Sequence, residues 1–382
     1  MLTIRKERLR KLFRVEKAET NDVKAISEFR SFVPSSPPVP APTDAYHVDF
    51  PSADGTTLRG ILLKPRDAMS AVPVMIMAHG FSCTWRQGLL PFARACQAKN
   101  IAVLLFDHAS YGESDGEPRC VVDWWGQILG YIAAVRYLCS EGTVDPSRVA
   151  LFGFSLSGAQ ALLLGALDPR VKAVVAVAPG PIAVPVSADE SRFEALREEF
   201  SNRSAEVGCK VGDVATSGHV ERDVGSQLPV VPPHGPWLRG KRAHAWFGER
   251  IPGRKDAIAF FGRRGGPMAA WTNTSAQVID DLPDWDEAVG HVHVPTLILA
   301  AADDVTKPPQ AARELIDAIP ATTKRLHVIG RGGHFGIFDT PLCEPGSEGA
   351  EREAPPTHPE EAAEAAEAVA CFLAEALERT RV

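Results

Sequence analysis

Three residue types in this chain could together perform acyl transfer: a serine in a small-residue turn, an aspartate after an apolar run, and a histidine in a glycine-rich loop. Ser155 lies in Gly153-Phe154-Ser155-Leu156-Ser157-Gly158, after RVALFGF and before the helix-forming AQALLLGAL. A serine hydroxyl is a weak nucleophile until an imidazole takes its proton and a carboxylate orients that imidazole. Strand, serine, helix is the context of a nucleophile elbow, where small neighbours permit a sharp turn and the hydroxyl projects above the sheet. The usual last glycine of G-x-S-x-G is Ser157 here, followed by Gly158, and serine is small enough for the same turn. The competing reading is an ordinary helix N-cap at Ser155 or Ser157.

The carboxylate is expected in AAADDVTKPPQAARELI, at the end of a strand and the start of a helix. Asp304 is the aspartate of an A-x-x-D-x-x-x-P pattern ending at Pro308; Asp303 is its rival, and either could cap the helix instead. His334, in GRGGHFGIF, is the candidate general base, because Gly332 and Gly333 allow the backbone to carry an imidazole over a sheet edge. Other histidines, His108 among them, read as surface, strand or lid residues. His79-Gly80-Phe81 follows an apolar strand, and the N–H groups of Phe81 and Leu156 are the candidate oxyanion donors. His79 itself reads as a buried residue bonded to loop backbone.

These residues must be positioned by a sheet. YHVDF at 46–50 and TTLRGILLKP at 56–65 alternate around a DG turn and predict an antiparallel pair. Short runs at 72–78, 101–107, 148–154, 171–179, 294–301 and 324–330 are nearly continuous in Val, Ile, Leu and Ala, as expected for strands covered on both faces. Helical stretches at 90–99, 124–139 and 160–167 fall between them, so the sheet should be mainly parallel. The alternation stops near Pro179 and resumes near Val294, too long a gap for a bare loop.

The expected organisation is therefore an N-terminal helix and Pro-rich linker at 1–44, a first core part at 45–180, a lid at 181–290 and a second core part at 291–382. Within the lid, SRFEALREEF at 191–200 reads as helix; Trp246, Phe247, Phe260, Phe261 and Trp271 offer apolar contacts. The last part includes an acidic loop at 340–359 and an amphipathic closing helix at Glu360–Glu378.

A chain of 382 residues that is 45% hydrophobic and 23% charged can bury a large core, and its net charge of -7 offers no basic face for nucleic acid. The seven cysteines are scattered without C-x-x-C or metal-ligand spacing, which suggests reduced thiols in a cytoplasmic setting. No run reaches the roughly 18 apolar residues of a membrane span. The start MLTIRKERLRKLFRVEK carries seven Lys/Arg among apolar residues and reads as a solvated helix rather than a stable membrane insertion. A homodimer is left open.

The block 78–119, AHGFSCTWRQGLLPFARACQAKNIAVLLFDHASYGESDGEPR, followed by VDPSRVALFGFSLSG and the closing GGHF, resembles the α/β-hydrolase superfamily. The resemblance is to a branch near dienelactone hydrolases and Xaa-Pro dipeptidyl-peptidase-like esterases that includes fungal polyketide acyltransferases. It implies the α/β-hydrolase fold with an inserted lid, and the chain order Ser155, Asp304, His334 is the one that fold uses. It also implies structural roles for Asp107 and SYGESDG beside the site. The expected activity is cleavage of a small-molecule ester or thioester through an acyl-enzyme on Ser155, with no metal or organic cofactor. The alternatives are an acyltransferase, passing the acyl group to an alcohol or amine, and a non-catalytic binding protein on the same fold.

Overall fold

Side-chain alternation in the central strands divides the core into two layers. In the computed structural model, Val74, Ile76 and Ala78 enter one apolar cluster while Met75 and Met77 enter the other. Val149 and Leu151 part in the same way from Ala150, Phe152 and Phe154. Successive strand side chains point to opposite faces, so a continuous apolar run fits only a sheet buried on both sides. The structure describes residues 44–66, 70–80, 84–85, 88–116, 123–140, 142–180, 189–207, 286–304, 307–334, 336–338 and 358–378.

The strands are β1 (Ala45–Pro51), β2 (Thr57–Leu63), β3 (Val72–Ala78), β4 (Ala102–Phe106), β5 (Val144–Phe154), β6 (Val171–Val177), β7 (Thr296–Ala301) and β8 (Lys324–Ile329). They form one sheet in the order β1-β2-β4-β3-β5-β6-β7-β8. β1 and β2 pair antiparallel and β2 is antiparallel to β4, whereas β3 to β8 run parallel. β5 starts earlier than its apolar run predicts, because Val144 pairs with Val72 before the register shifts.

The helices are α1 (Leu90–Ala98), α2 (Trp124–Ser140), α3 (Leu156–Leu167), α4 (Glu190–Glu206), α5 (Pro309–Ala318) and α6 (Pro359–Glu378). α1 and α6 cover one face through Phe92, Val369, Phe372 and Leu373, and α2, α3 and α5 cover the other. Each fully buried Leu, Val or Phe in these layers contributes roughly 1.5–3 kcal/mol relative to exposure. The result is an α/β-hydrolase fold: a mostly parallel sheet between two helical layers.

α4 bears out the helix expected at 191–200 and is capped by Asp189, whose side chain accepts the Arg192 N–H. Most of the rest of the expected lid, the N-terminal helix and linker, Phe81 and nearly all of the 340–359 loop lie outside the described residues. Among those described, no helix is long and apolar enough to cross a membrane. Strand order reverses between β3 and β5, since β4 lies on the far side of β3. In open α/β sheets the crevice at the carboxyl ends of such a pair is where ligands bind.

Candidate active site

Ser155 occupies that crevice, in the single residue between β5 and α3. Its φ of 51° is one of few positive values at non-glycine residues, a conformation that costs on the order of 1–3 kcal/mol. The turn is held by Ser155 N–H donating to the Val177 carbonyl at 2.8 Å and by Gly158 N–H donating to the Ser155 carbonyl at 3.0 Å. A side chain at position 153 could not fit, because its Cβ would lie 1.9 Å from the Ser157 carbonyl oxygen. The Ser155 side chain makes no helix-capping hydrogen bond, which removes the N-cap reading. Its hydroxyl is left to face outward.

There it meets His334. Ser155 Oγ lies 3.1 Å from His334 Nε2, and His334 Nδ1 lies 2.8 Å from Asp304 Oδ2. A carboxylate only accepts, so Nδ1 carries the proton and Nε2 presents its lone pair to the hydroxyl. Asp304 and His334 are buried, and the Phe154 ring packs 5.0 Å from the imidazole, limiting its rotation. Asp304 also accepts the Lys307 N–H through Oδ1 at 2.7 Å. Neither Asp303 nor Asp304 caps α5, whose N-cap position is Pro308.

The two adjacent aspartates divide the work. Asp303 accepts the Gly333 N–H at 2.7 Å and the Gly332 N–H at 3.2 Å, and so secures the loop that carries His334. Gly332 and Gly333 have φ of 127° and 57°, the backbone freedom that loop needs. The structure thus brings Ser155, His334 and Asp304 together and gives Asp303 a different partner.

Beneath the elbow lies a second polar network. Ser157 Oγ donates to the His79 carbonyl oxygen, and His108 Nε2 lies 3.2 Å from the same hydroxyl. Since the Ser157 proton is committed to that carbonyl, His108 must donate through Nε2–H. The His108 backbone N–H in turn donates to His79 Nε2 at 3.2 Å, and His79 Nδ1 donates to the Gly80 carbonyl at 2.9 Å. Both imidazoles are therefore neutral. Burial lowers His79 to a pKa of about 4 and holds His108 well below the usual histidine value. Asp107 lies 4.0 Å from His79 Nε2, but its oxygens accept the Trp85 and Glu113 amides and Nε2 is already an acceptor.

His108 is therefore not the surface or strand residue its sequence context suggested. Ser157 is more than a small stand-in for glycine. Their contact spans 49 residues, and the only signals in sequence are a histidine directly after a strand-end aspartate and a serine two positions past the nucleophile. Of the two oxyanion candidates, Phe81 lies outside the described residues, while the backbone on either side of it is tied down at His79 and Trp85. Leu156 is the first residue of α3, so its amide has no carbonyl one turn back to receive it. Among the described residues, no cluster of His, Cys, Asp or Glu could hold a metal ion.

Fold and site together define a hydrolase class: the chain belongs to the alpha/beta hydrolase family, whose model matches residues 75–344. Thiohydrolase apmlB of Arthrinium phaeospermum is 36% identical over 163 residues, 43% of this chain and 52% of that protein. Acyltransferase drtE of Aspergillus calidoustus is 31% identical over 161 residues, 42% of this chain and 51% of that protein. The match thus spans about half the length of these two relatives. Polyketide transferase af380 of Aspergillus fumigatus is 26% identical over 298 residues, covering 76% of this chain and 91% of the relative. The solved structure of DcsB in complex with its substrate analogue shares the fold, with a TM-score of 0.59, 22% identity and coverage of 87% of this chain and 99% of that one.

Proposed function

We propose that this protein is a serine hydrolase that cleaves a small-molecule ester or thioester, with Ser155 as nucleophile, His334 as general base and Asp304 as the orienting carboxylate. The observation that carries the reading is the unbroken relay from Ser155 Oγ to His334 Nε2 at 3.1 Å and from His334 Nδ1 to Asp304 at 2.8 Å. Attack of Ser155 Oγ on the acyl carbonyl forms a C–O bond while its proton passes to His334 Nε2. The resulting imidazolium is stabilised by Asp304, and the oxyanion by the Leu156 and Phe81 amides. Collapse expels the thiolate or alkoxide, which takes the proton from His334 and leaves an acyl ester on Ser155. Water, deprotonated by His334, then adds to the acyl carbonyl, and collapse breaks the bond to Ser155 Oγ, which takes the proton back from His334 as the acid leaves. The cycle requires no metal or organic cofactor, and the scattered cysteines support a reducing, cytoplasmic setting.

A thioester is the preferred substrate class because of the likeness to the thiohydrolase apmlB. The acyltransferase and polyketide transferase relatives favour a second reading, in which an alcohol or amine replaces water in the last step. Both share the acyl-enzyme, and they differ in what attacks it. A panel of 4-nitrophenyl esters and acyl thioesters of rising chain length, with and without an added acceptor alcohol, separates them. Release of free acid at a rate independent of acceptor supports hydrolysis, whereas acceptor-dependent ester formation supports transfer. Absence of turnover across the panel by folded protein would contradict both.

A further inference from the structure

One cation close to the elbow has no role in the relay. Lys307 follows β7 in the loop that carries Asp304, and its backbone N–H is fixed by Asp304 Oδ1 at 2.7 Å. Its side chain then crosses toward the end of β6. A Cβ at Gly180 would lie 2.1 Å from Lys307 Nζ and 2.4 Å from its Cε, so the ammonium fills the space that a missing side chain leaves open. Gly180 adjoins the nucleophile, because its N–H donates to the Ser155 carbonyl at 3.0 Å. The lysine stem thus spans from the end of β7 to the end of β6, where its charge lies against Gly180, the residue that bonds the Ser155 backbone.

Among the described residues the Lys307 ammonium has no direct counter-charge. Among the described residues, no acceptor takes its protons, and the one charge acting on it is the longer-range field of Asp304. Burial pushes the ammonium's pKa down, Asp304 opposing. Lys307 is half-buried, so water reaches the ammonium, and an anion entering the cleft would replace that water with a charge-assisted hydrogen bond. Lysine suits this task as a compact point charge with three donors. A purely structural counter-charge to Asp304 would not need to reach across to the Gly180 backbone.

We propose that Lys307 recognises an anionic group, a carboxylate or its equivalent, carried by the substrate close to its scissile carbonyl. The inference rests on Ser155 being the nucleophile and adds the chemistry of the group the cleft selects. The test compares kcat/KM for 4-nitrophenyl hexanoate with the mono-4-nitrophenyl ester of adipic acid, which places a carboxylate on the acyl side. The hexanoate of 3-carboxy-4-nitrophenol places it on the leaving-group side. In each case the charged-to-neutral ratio is read in wild type, Lys307→Met and Lys307→Arg, so that any change in the relay's own efficiency cancels. The expected result is a ratio that falls by about tenfold or more in Lys307→Met on one of the two sides and is largely kept in Lys307→Arg. Ratios unchanged by Lys307→Met on both sides would overturn the assignment. Failure of wild type to turn over the neutral ester, with Ser155 unreactive, would instead overturn the hydrolase reading on which it rests.

Discussion

Two histidine networks lie on opposite sides of the Ser155 elbow, built from the same residue type and put to opposite ends. Above it, His334 bonds a carboxylate through Nδ1 and a hydroxyl through Nε2. Below it, His79 and His108 bond backbone groups, each other and Ser157, and no carboxylate shares their protons. An imidazole beside a carboxylate can gain a proton cheaply during a reaction; one buried among neutral partners cannot. The partner decides the role: in the proposed mechanism the upper network moves protons, and the lower one holds backbone in place.

The comparison breaks most visibly if His334 is dispensable. His334→Ala should lower kcat on a 4-nitrophenyl ester by about 10⁴–10⁶-fold with the fold intact by circular dichroism. A loss below about tenfold would mean that another base serves Ser155. The neighbouring aspartates come next. Asp304→Asn should cost about 10⁴-fold, because the imidazole would hold the wrong tautomer. Asp303→Asn should cost far less, since it secures the amides of Gly332 and Gly333 and touches no reacting group. Steady-state kinetics on the pair decide this, and the reverse order would exchange their roles.

That pair also marks where sequence stops being informative. Continuous Val/Ile/Leu runs made the two-sided sheet legible, because only burial on both faces tolerates them. Strand-end positions and chain order made Ser155, His334 and an aspartate at 303 or 304 legible as candidates. Asp303 and Asp304 are adjacent and chemically identical, and which one faces the imidazole depends on backbone direction after β7. The same holds for His108 and Ser157: nothing local marks a contact between residues 49 apart. Lys307 acquires its place only when β6 and β7 are neighbours.

The lower network can be tested by removing its central hydroxyl. Ser157→Ala deletes the tie between the His79 carbonyl and the elbow, and leaves the His108 Nε2–H without its acceptor. In the proposed mechanism that tie positions oxyanion donors rather than binding the ground state, so kcat should fall by about 10–100-fold with KM little changed. A matching rise in KM with constant kcat would show a binding role instead.

The smallest effect is on stability. His79 titrates at about 4 in the folded protein and near the ordinary 6.5 when unfolded, so between those values the unfolded state binds the extra proton. Its contribution is fully present above pH 6.5 and is lost as pH falls toward 4, amounting to roughly 2 kcal/mol by pH 5. His108 adds to the loss in the same direction. Urea unfolding across this range should show the decline, and His108→Gln should flatten it. A flat profile in wild type would mean that these imidazoles are not neutral in the fold.

The most direct test of the account is covalent labelling with a fluorophosphonate probe, followed by peptide mass mapping. Phosphonylation is expected at Ser155 in the wild type, strongly slowed in His334→Ala and absent in Ser155→Ala. Folded wild type that remains unlabelled, or that is labelled at another serine, would contradict the assignment of Ser155 as an activated nucleophile.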